Sequence, residues 1–224
     1  MEFVDRQKKI AYLTFDDGPS ENTAKILEIL DLYKIKATFF VIGSDGETEK
    51  NLYKHIVTRG HGIGLHSYTH DYSTIYSSID LFIKDLEKLE KTLVESIGFI
   101  PNIYRFPGGS VNQGSKRYGG PSLLNQLKRE IKNRGYVFFD WNVDSGDTKS
   151  YLVDFDQIIQ TVLESTINKE NAVILMHDAP VKTTTVQALP EIITGLKKQG
   201  FQFDILTQDS SPCQFSSTAI PLNY

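Results

Sequence analysis

Short apolar runs alternate with longer segments of helical period along nearly the whole chain. The short runs predict strands at Ile10–Phe15, Ala37–Ile42, Gly62–His66, Asn102–Phe106, Tyr136–Trp141, Ala172–His177 and Phe201–Leu206. The segments between them predict helices with recognisable ends. "SENTAKILEILDLY" offers Ser20 or Asn22 as an N-cap ahead of Ile26, Ile29 and Leu30. "TEKNLYKHIVTRG" stops at Gly60, "SSIDLFIKDLEKLEKTLVESIG" at Gly98 and Pro101, and "SLLNQLKREIKNRG" at Gly135. Phe155–Ile167 predicts a fifth helix and "VQALPEIITGLKKQG" a sixth, which Pro190 is expected to interrupt or start. "GGSVNQGSKRYGGPS" reads as a polar loop insertion, and the tail after Gln208 as an irregular surface wrap.

This alternation predicts parallel strands wrapped by helices, in a barrel or a doubly wound sheet. With 224 residues, 40% of them hydrophobic, the chain can bury one well-packed core. A single domain over 1–224 is expected, with its core at about 10–206. The formal net charge of -4, with no basic stripe, argues against nucleic acid as a partner. One cysteine, Cys213, excludes an internal disulfide and a cysteine metal cluster. No apolar run has the length of a membrane span, and "MEFVDRQKKI" lacks the apolar centre of a secretion signal.

The unusual polar residues fall at one end of the predicted strands. Asp16 and Asp17 follow the first, His66 closes the third with His70 four residues on, and Arg105 sits near the end of the fourth. Asp144 lies just beyond the fifth, and His177 ends the sixth. In parallel α/β proteins that edge is where active sites are built. Two adjacent acids at a buried strand end repel each other, and a divalent cation beside one of them offsets the repulsion. "HSYTH" adds two imidazoles, which share a face if that stretch is helical. Two histidines and one aspartate make a zinc site with a position open for water, while the second aspartate stays free as a base.

"TFDDGP", "HSYTH", "RFPGG", "WNVDSGD" and "LMH" together resemble the polysaccharide deacetylases, carbohydrate esterase family 4, from about Ile10 to Leu206. The resemblance implies a distorted α/β barrel with about seven parallel strands. It implies that Asp17, His66 and His70 bind one divalent metal, Zn2+ in the first instance, with Co2+ or another ion as alternatives. Asp16 is then the catalytic base, Arg105 the residue that orients it, and His177 the catalytic acid. Asp144 matches the aspartate that tethers His177; Asp147 competes for that role, and the spacing to Trp141 favours Asp144. Leu175 matches an apolar wall beneath the acetyl methyl, and Gly108 is the candidate backbone donor to the oxyanion. Trp141 is expected in the core or lining the groove. His55 and His61 read as structural, and Tyr68 and Tyr72 as packing residues that could also stack on sugar.

Three positions depart from the family pattern: Gly108 where many members carry an aromatic, Thr148 where many carry tryptophan, and Leu65 where asparagine is common. The implied activity is removal of N-acetyl groups from a polymer containing N-acetylglucosamine. Peptidoglycan is the first choice and chitin oligosaccharides the next. An O-acetyl xylan esterase would use the same machinery, and a silent sugar-binding domain is the reading from another class. The implied setting is extracellular or at the cell envelope, with the chain acting as a monomer on an acetylated polysaccharide.

Overall fold

Residues 8–216 are described by a computed structural model; the ends of the expected domain, 1–7 and 217–224, lie outside the described residues. The strands are β1 (Lys9–Asp16), β2 (Thr38–Ile42), β3 (Gly62–Ser67), β4 (Ile103–Tyr104), β5 (Val137–Phe138), β6 (Val143–Asp144), β7 (Asn171–His177) and β8 (Phe201–Phe203). The helices are α1 (Glu21–Tyr33), α2 (Glu47–Thr58), α3 (Tyr72–Ile75), α4 (Ile79–Ile97), α5 (Gln113–Gly119), α6 (Leu123–Asn133), α7 (Phe155–Thr166) and α8 (Thr183–Lys198). All strand pairs are parallel, in the order β5-β4-β3-β2-β1-β7-β6, and β8 lies along the first half of β1. The sheet curls into the distorted barrel that the family resemblance implies, open between β5 and β6.

Pleat alternation sorts the strand residues onto two faces. Ala11, Leu13 and Phe15 of β1 and Ala172, Ile174 and Met176 of β7 join the outer core beneath the helices. The opposite parity faces the interior, where Phe40, Ile103, Val173 and Leu175 make a smaller inner core with Phe139 and Trp141. Asp16, His66 and His177 share that inward parity and stand at or one residue before the ends of their strands, at one rim. The interior is tight: a Cβ on Gly64 would stand 2.6 Å from the Phe40 ring and 2.9 Å from Ile103.

Three expectations change. β6 is an eighth strand, two residues long and too short to announce itself by pattern. The stretch read as a loop holds α5, because Asn112 caps it by accepting from Ser115 N at 2.8 Å. α8 begins at Thr183 and runs through Pro190, which neither starts nor breaks it. Its buried face, Ala188, Leu189, Ile192, Ile193 and Leu196, holds the helix together across the missing hydrogen bond.

The tail is irregular, but its residues 213–215 run beside the β5–β6 link and do more than cover the surface. Asp140 N donates to Cys213 O at 2.6 Å, Gln214 Nε2 to Phe138 O at 2.9 Å, and Phe215 N to Asp140 Oδ2 at 2.7 Å. The Phe215 ring meets Trp141 edge-on at 4.9 Å, so the tail packs against the inner core. Burial, with the Asp140 carboxylate nearby, pushes the Cys213 thiol up to about 11.

Candidate active site and metal centre

Asp17, His66 and His70 each bring one ligand atom into a group that lies within 4.8 Å of one another. Asp17 Oδ1 stands 3.4 Å from His66 Nε2 and 3.2 Å from His70 Nε2. That oxygen is buried and has no hydrogen-bond partner, which suits a cation and little else. His66 Nδ1 donates to the Arg105 carbonyl at 2.8 Å, which fixes the tautomer and leaves Nε2 as the ligand atom. Burial pushes the Asp17 carboxyl upward, but the His66 ring, with His70 and His177, outweighs it and holds the group well below the usual carboxylate range. Burial likewise lowers His70, favouring the neutral ring a metal needs. The donor set fits a divalent metal of the zinc type.

Backbone strain is concentrated at the same place. Asp17 has φ 73° and His70 φ 53°, left-handed conformations that cost a non-glycine residue of order 1–3 kcal/mol each. The two imidazoles therefore do not converge along a helix face, as the spacing of "HSYTH" allows. His66 stands one residue before the end of β3, and His70 returns to it through a turn closed by His70 N donating to Ser67 Oγ at 3.0 Å.

Asp16 is 3% exposed and bonded to a guanidinium that is fully buried. Arg105 Nη1 donates to Asp16 Oδ1 at 2.8 Å and to Thr14 Oγ1 at 2.7 Å. Nε donates to Phe139 O at 3.1 Å and Nη2 to Asp140 O at 3.0 Å, while the Phe40 ring lies 4.2 Å from the guanidinium carbon. A surface ion pair for Arg105 is thus excluded. The arginine fixes one oxygen of Asp16; Oδ2 stands 3.8 Å from His66 Nε2, beside the ligand group.

At His177 the structure corrects the sequence reading. Its Nδ1 pairs with Asp147 Oδ1 at 2.8 Å, and its backbone N donates to Asp147 Oδ2 at 2.8 Å. Thr185 Oγ1 also donates to Asp147 Oδ2, at 2.9 Å, and Lys182 Nζ donates to the Asp147 carbonyl at 2.9 Å. Asp144 instead accepts from Gly146 N at 2.8 Å, an Asx turn that shapes the loop carrying Asp147. The tether is Asp147. Burial would lower the His177 ring, but the Asp147 carboxylate overcomes it and pushes the group up to about 10.

Asp16, Asp17, His66, His70 and His177 line one pocket of about 190 Å³, together with Tyr72, Gly108, Trp141, Thr148 and Leu175. Leu175 and Trp141 are 2% and 5% exposed, so each belongs to the inner core and touches the pocket with one edge. Gly108 has φ 74°, and a Cβ there would stand 2.6 Å from the Tyr72 hydroxyl. Tyr72 thus occupies the space that a side chain at 108 would take. The Gly108 N–H makes no hydrogen bond among the described residues.

Of the buried acids that escape the sequence reading, two hold the loops of the site. Asp85 of α4 accepts from Tyr68 N at 2.6 Å, from Thr69 N at 2.9 Å and from Thr69 Oγ1 at 2.7 Å, and so builds the turn between His66 and His70. Its signal is an acid on an otherwise apolar helix face, between Phe82 and Leu86. Asp140 accepts from Ser110 N at 2.7 Å and from the tail, pinning the loop after Gly108; its signal is an acid inside the apolar run "YVFFDW". Asp85→Ala is expected to weaken metal binding about 10–100-fold, as for other groups that orient ligands. Competitive metal titration reads this, and unchanged affinity would remove Asp85 from the site.

Residues 4–119 match the polysaccharide deacetylase family. A peptidoglycan-N-acetylglucosamine deacetylase of Bacillus cereus is 34% identical over 212 residues, which is 93% of this chain and 73% of that protein. The catalytic domain of the peptidoglycan N-acetylglucosamine deacetylase from Eubacterium rectale has a similar structure, with TM-score 0.89 and 36% identity over 96% of each chain. A polysaccharide deacetylase from Bacillus cereus gives TM-score 0.80 and 34% identity, over 93% of this chain and 97% of that one. On these matches and on its barrel, the chain belongs to the polysaccharide deacetylase family.

Proposed function

We propose that the protein removes N-acetyl groups from N-acetylglucosamine residues of a polysaccharide, peptidoglycan in the first instance, at the cell envelope or outside the cell. The carrying observation is that Asp16, His177 and the Asp17, His66, His70 group line the same 190 Å³ pocket. Similarity to relatives named for peptidoglycan supports the choice of polymer.

A divalent metal held by Asp17, His66 and His70, as zinc or another ion, supplies Lewis-acid activation of water and of the amide carbonyl. Asp16 accepts the proton of the attacking water, and Arg105 holds its Oδ1 so that Oδ2 faces the pocket. The Gly108 N–H donates to the oxygen on which negative charge develops. His177 donates from Nε2 to the leaving amine, its Nδ1 proton held by Asp147. Leu175 excludes water beneath the acetyl methyl. Acetate leaves and a free amine remains.

The test is acetate release from peptidoglycan, chitooligosaccharides and acetylated xylan before and after chelation. Release from an N-acetylglucosamine polymer is expected. Dialysis against a strong chelator should abolish it, and about one equivalent of Zn2+ or Co2+ should restore it, since the three-ligand site holds one ion. Binding of these polymers with no acetate released by metal-loaded protein would make this a sugar-binding domain.

A further inference from the structure

The catalytic pocket is not the larger cavity at this rim. Tyr72 and Gly108 form a shared wall, and on their other side lies a cavity of about 690 Å³ bounded by Asn112, Gln113, Gly114, Lys116, Arg117 and Tyr118. Its floor is fixed. Asn112, buried, donates from Nδ2 to Gly109 O at 2.8 Å and to Tyr76 Oη at 3.2 Å, while Tyr76 Oη donates to Pro107 O at 2.7 Å. The Tyr72 and Tyr76 rings meet edge-on at 5.5 Å. Gly114 lets α5 lie against Tyr72, since a Cβ there would overlap that ring.

From this anchored turn Lys116 and Arg117 project into the cavity wall, exposed, and neither forms an ion pair among the described residues. The sequence carries no Asp or Glu between Glu95 and Glu130, although the chain as a whole is acidic at -4. Two cations without an ion pair among the described residues therefore sit beside the pocket, in a stretch of sequence that carries no acid. The guanidinium carbon of Arg117 is 5.6 Å from the Tyr118 ring, which limits where its fork points.

We propose that this cavity is a subsite for a carboxylate on the glycan next to the sugar being deacetylated, so that Lys116 and Arg117 select an acidic acetylated glycan over a neutral one. The inference rests on the deacetylase reading of the adjoining pocket. An arginine fork pairs two carboxylate oxygens and a lysine supplies a point charge. Peptidoglycan carries such carboxylates on its lactyl ethers and peptides; chitin carries none.

The experiment measures binding to metal-loaded Asp16→Asn protein, which should hold substrate without turning it over. Three tetrasaccharides are compared: a peptidoglycan fragment with free carboxylates, the same fragment amidated, and neutral chitotetraose. The carboxylated fragment is expected to bind about tenfold more tightly than the amidated one, the scale of a charge-assisted hydrogen bond. The advantage should shrink as salt rises. Lys116→Gln with Arg117→Gln should erase it while leaving chitotetraose binding and the melting temperature unchanged. Equal affinity for the free and amidated fragments overturns the subsite, as does a double variant that weakens all three ligands alike. Acetate release by the native enzyme is scored separately. Release without carboxylate preference keeps the deacetylase and removes the subsite, and preference without release does the opposite.

Discussion

Asp16→Asn is expected to lower acetate release by about 10²–10⁴-fold, the range attributable to one positioned general base. The substitution is close to isosteric, so the amide oxygen can still accept from Arg105 Nη1, as Asp16 Oδ1 does at 2.8 Å. It cannot take a proton from water at neutral pH. Metal content should not change, because the ligand group of Asp17, His66 and His70 is untouched. Removing one charge of a buried pair costs about 3–5 kcal/mol when the partner is stranded. Here Arg105 keeps hydrogen bonds to Thr14, Phe139 and Asp140, so the loss should sit at or below the low end of that range. The melting temperature separates this cost from the catalytic one. Retention of activity within tenfold, by folded and metal-loaded protein, would move the base to another residue.

What made Asp16 legible is the same thing that made His66, Arg105 and His177 legible. Each stands at the end of a short apolar run, and parallel strands place all such ends at one rim. Alternation then decides which neighbour points inward: Asp16 shares the parity of Thr14, and His177 that of Val173 and Leu175. Asp17 lies past the strand, in a left-handed turn, and reaches the ligand group from there. Residues outside strands offer no such rule. In "WNVDSGD" Asp144 ends a strand of two residues and Asp147 lies three residues on, in a Gly/Ser turn, and spacing alone cannot say which carboxylate returns to His177. The structure decides it through Thr185 and Lys182, far along the chain, which hold Asp147 and its loop. Asp85 acts on backbone 17 residues upstream, a pairing across a helix and a turn that no local pattern encodes. The helix α5 was hidden by glycine and serine composition, because its stability comes from the Asn112 cap and from packing on Tyr72 more than from propensity.

The choice between the two aspartates gives the second large effect. Asp147→Asn is expected to reduce acetate release by about 10²–10⁴-fold, while Asp144→Asn should stay within a few-fold of the native enzyme. An asparagine oxygen at 147 still accepts from His177 Nδ1, and a neutral ring held in that tautomer has a lone pair at Nε2 and no proton to give. The pH profile should separate this from a mere loss of stability. In the native protein burial pulls the His177 ring down, and the Asp147 carboxylate overrides it to hold the group up to about 10. A dication at the neighbouring ligands opposes the smaller upward push from Asp17 and Asp16, but leaves the Asp147 contact in place. The acid form exists below the ring's pKa and is lost as pH rises through it. Removing the Asp147 charge leaves burial dominant, so the alkaline limb of kcat must move to lower pH, and the residual activity should improve as the solution is made more acid. Asp144→Asn, which alters the acceptor of the Asx turn to Gly146, should leave the limb where it is. The reverse pattern, an alkaline limb that moves in Asp144→Asn and not in Asp147→Asn, would return the tether to Asp144 and require the loop from Ser145 to Asp147 to rearrange in the working enzyme.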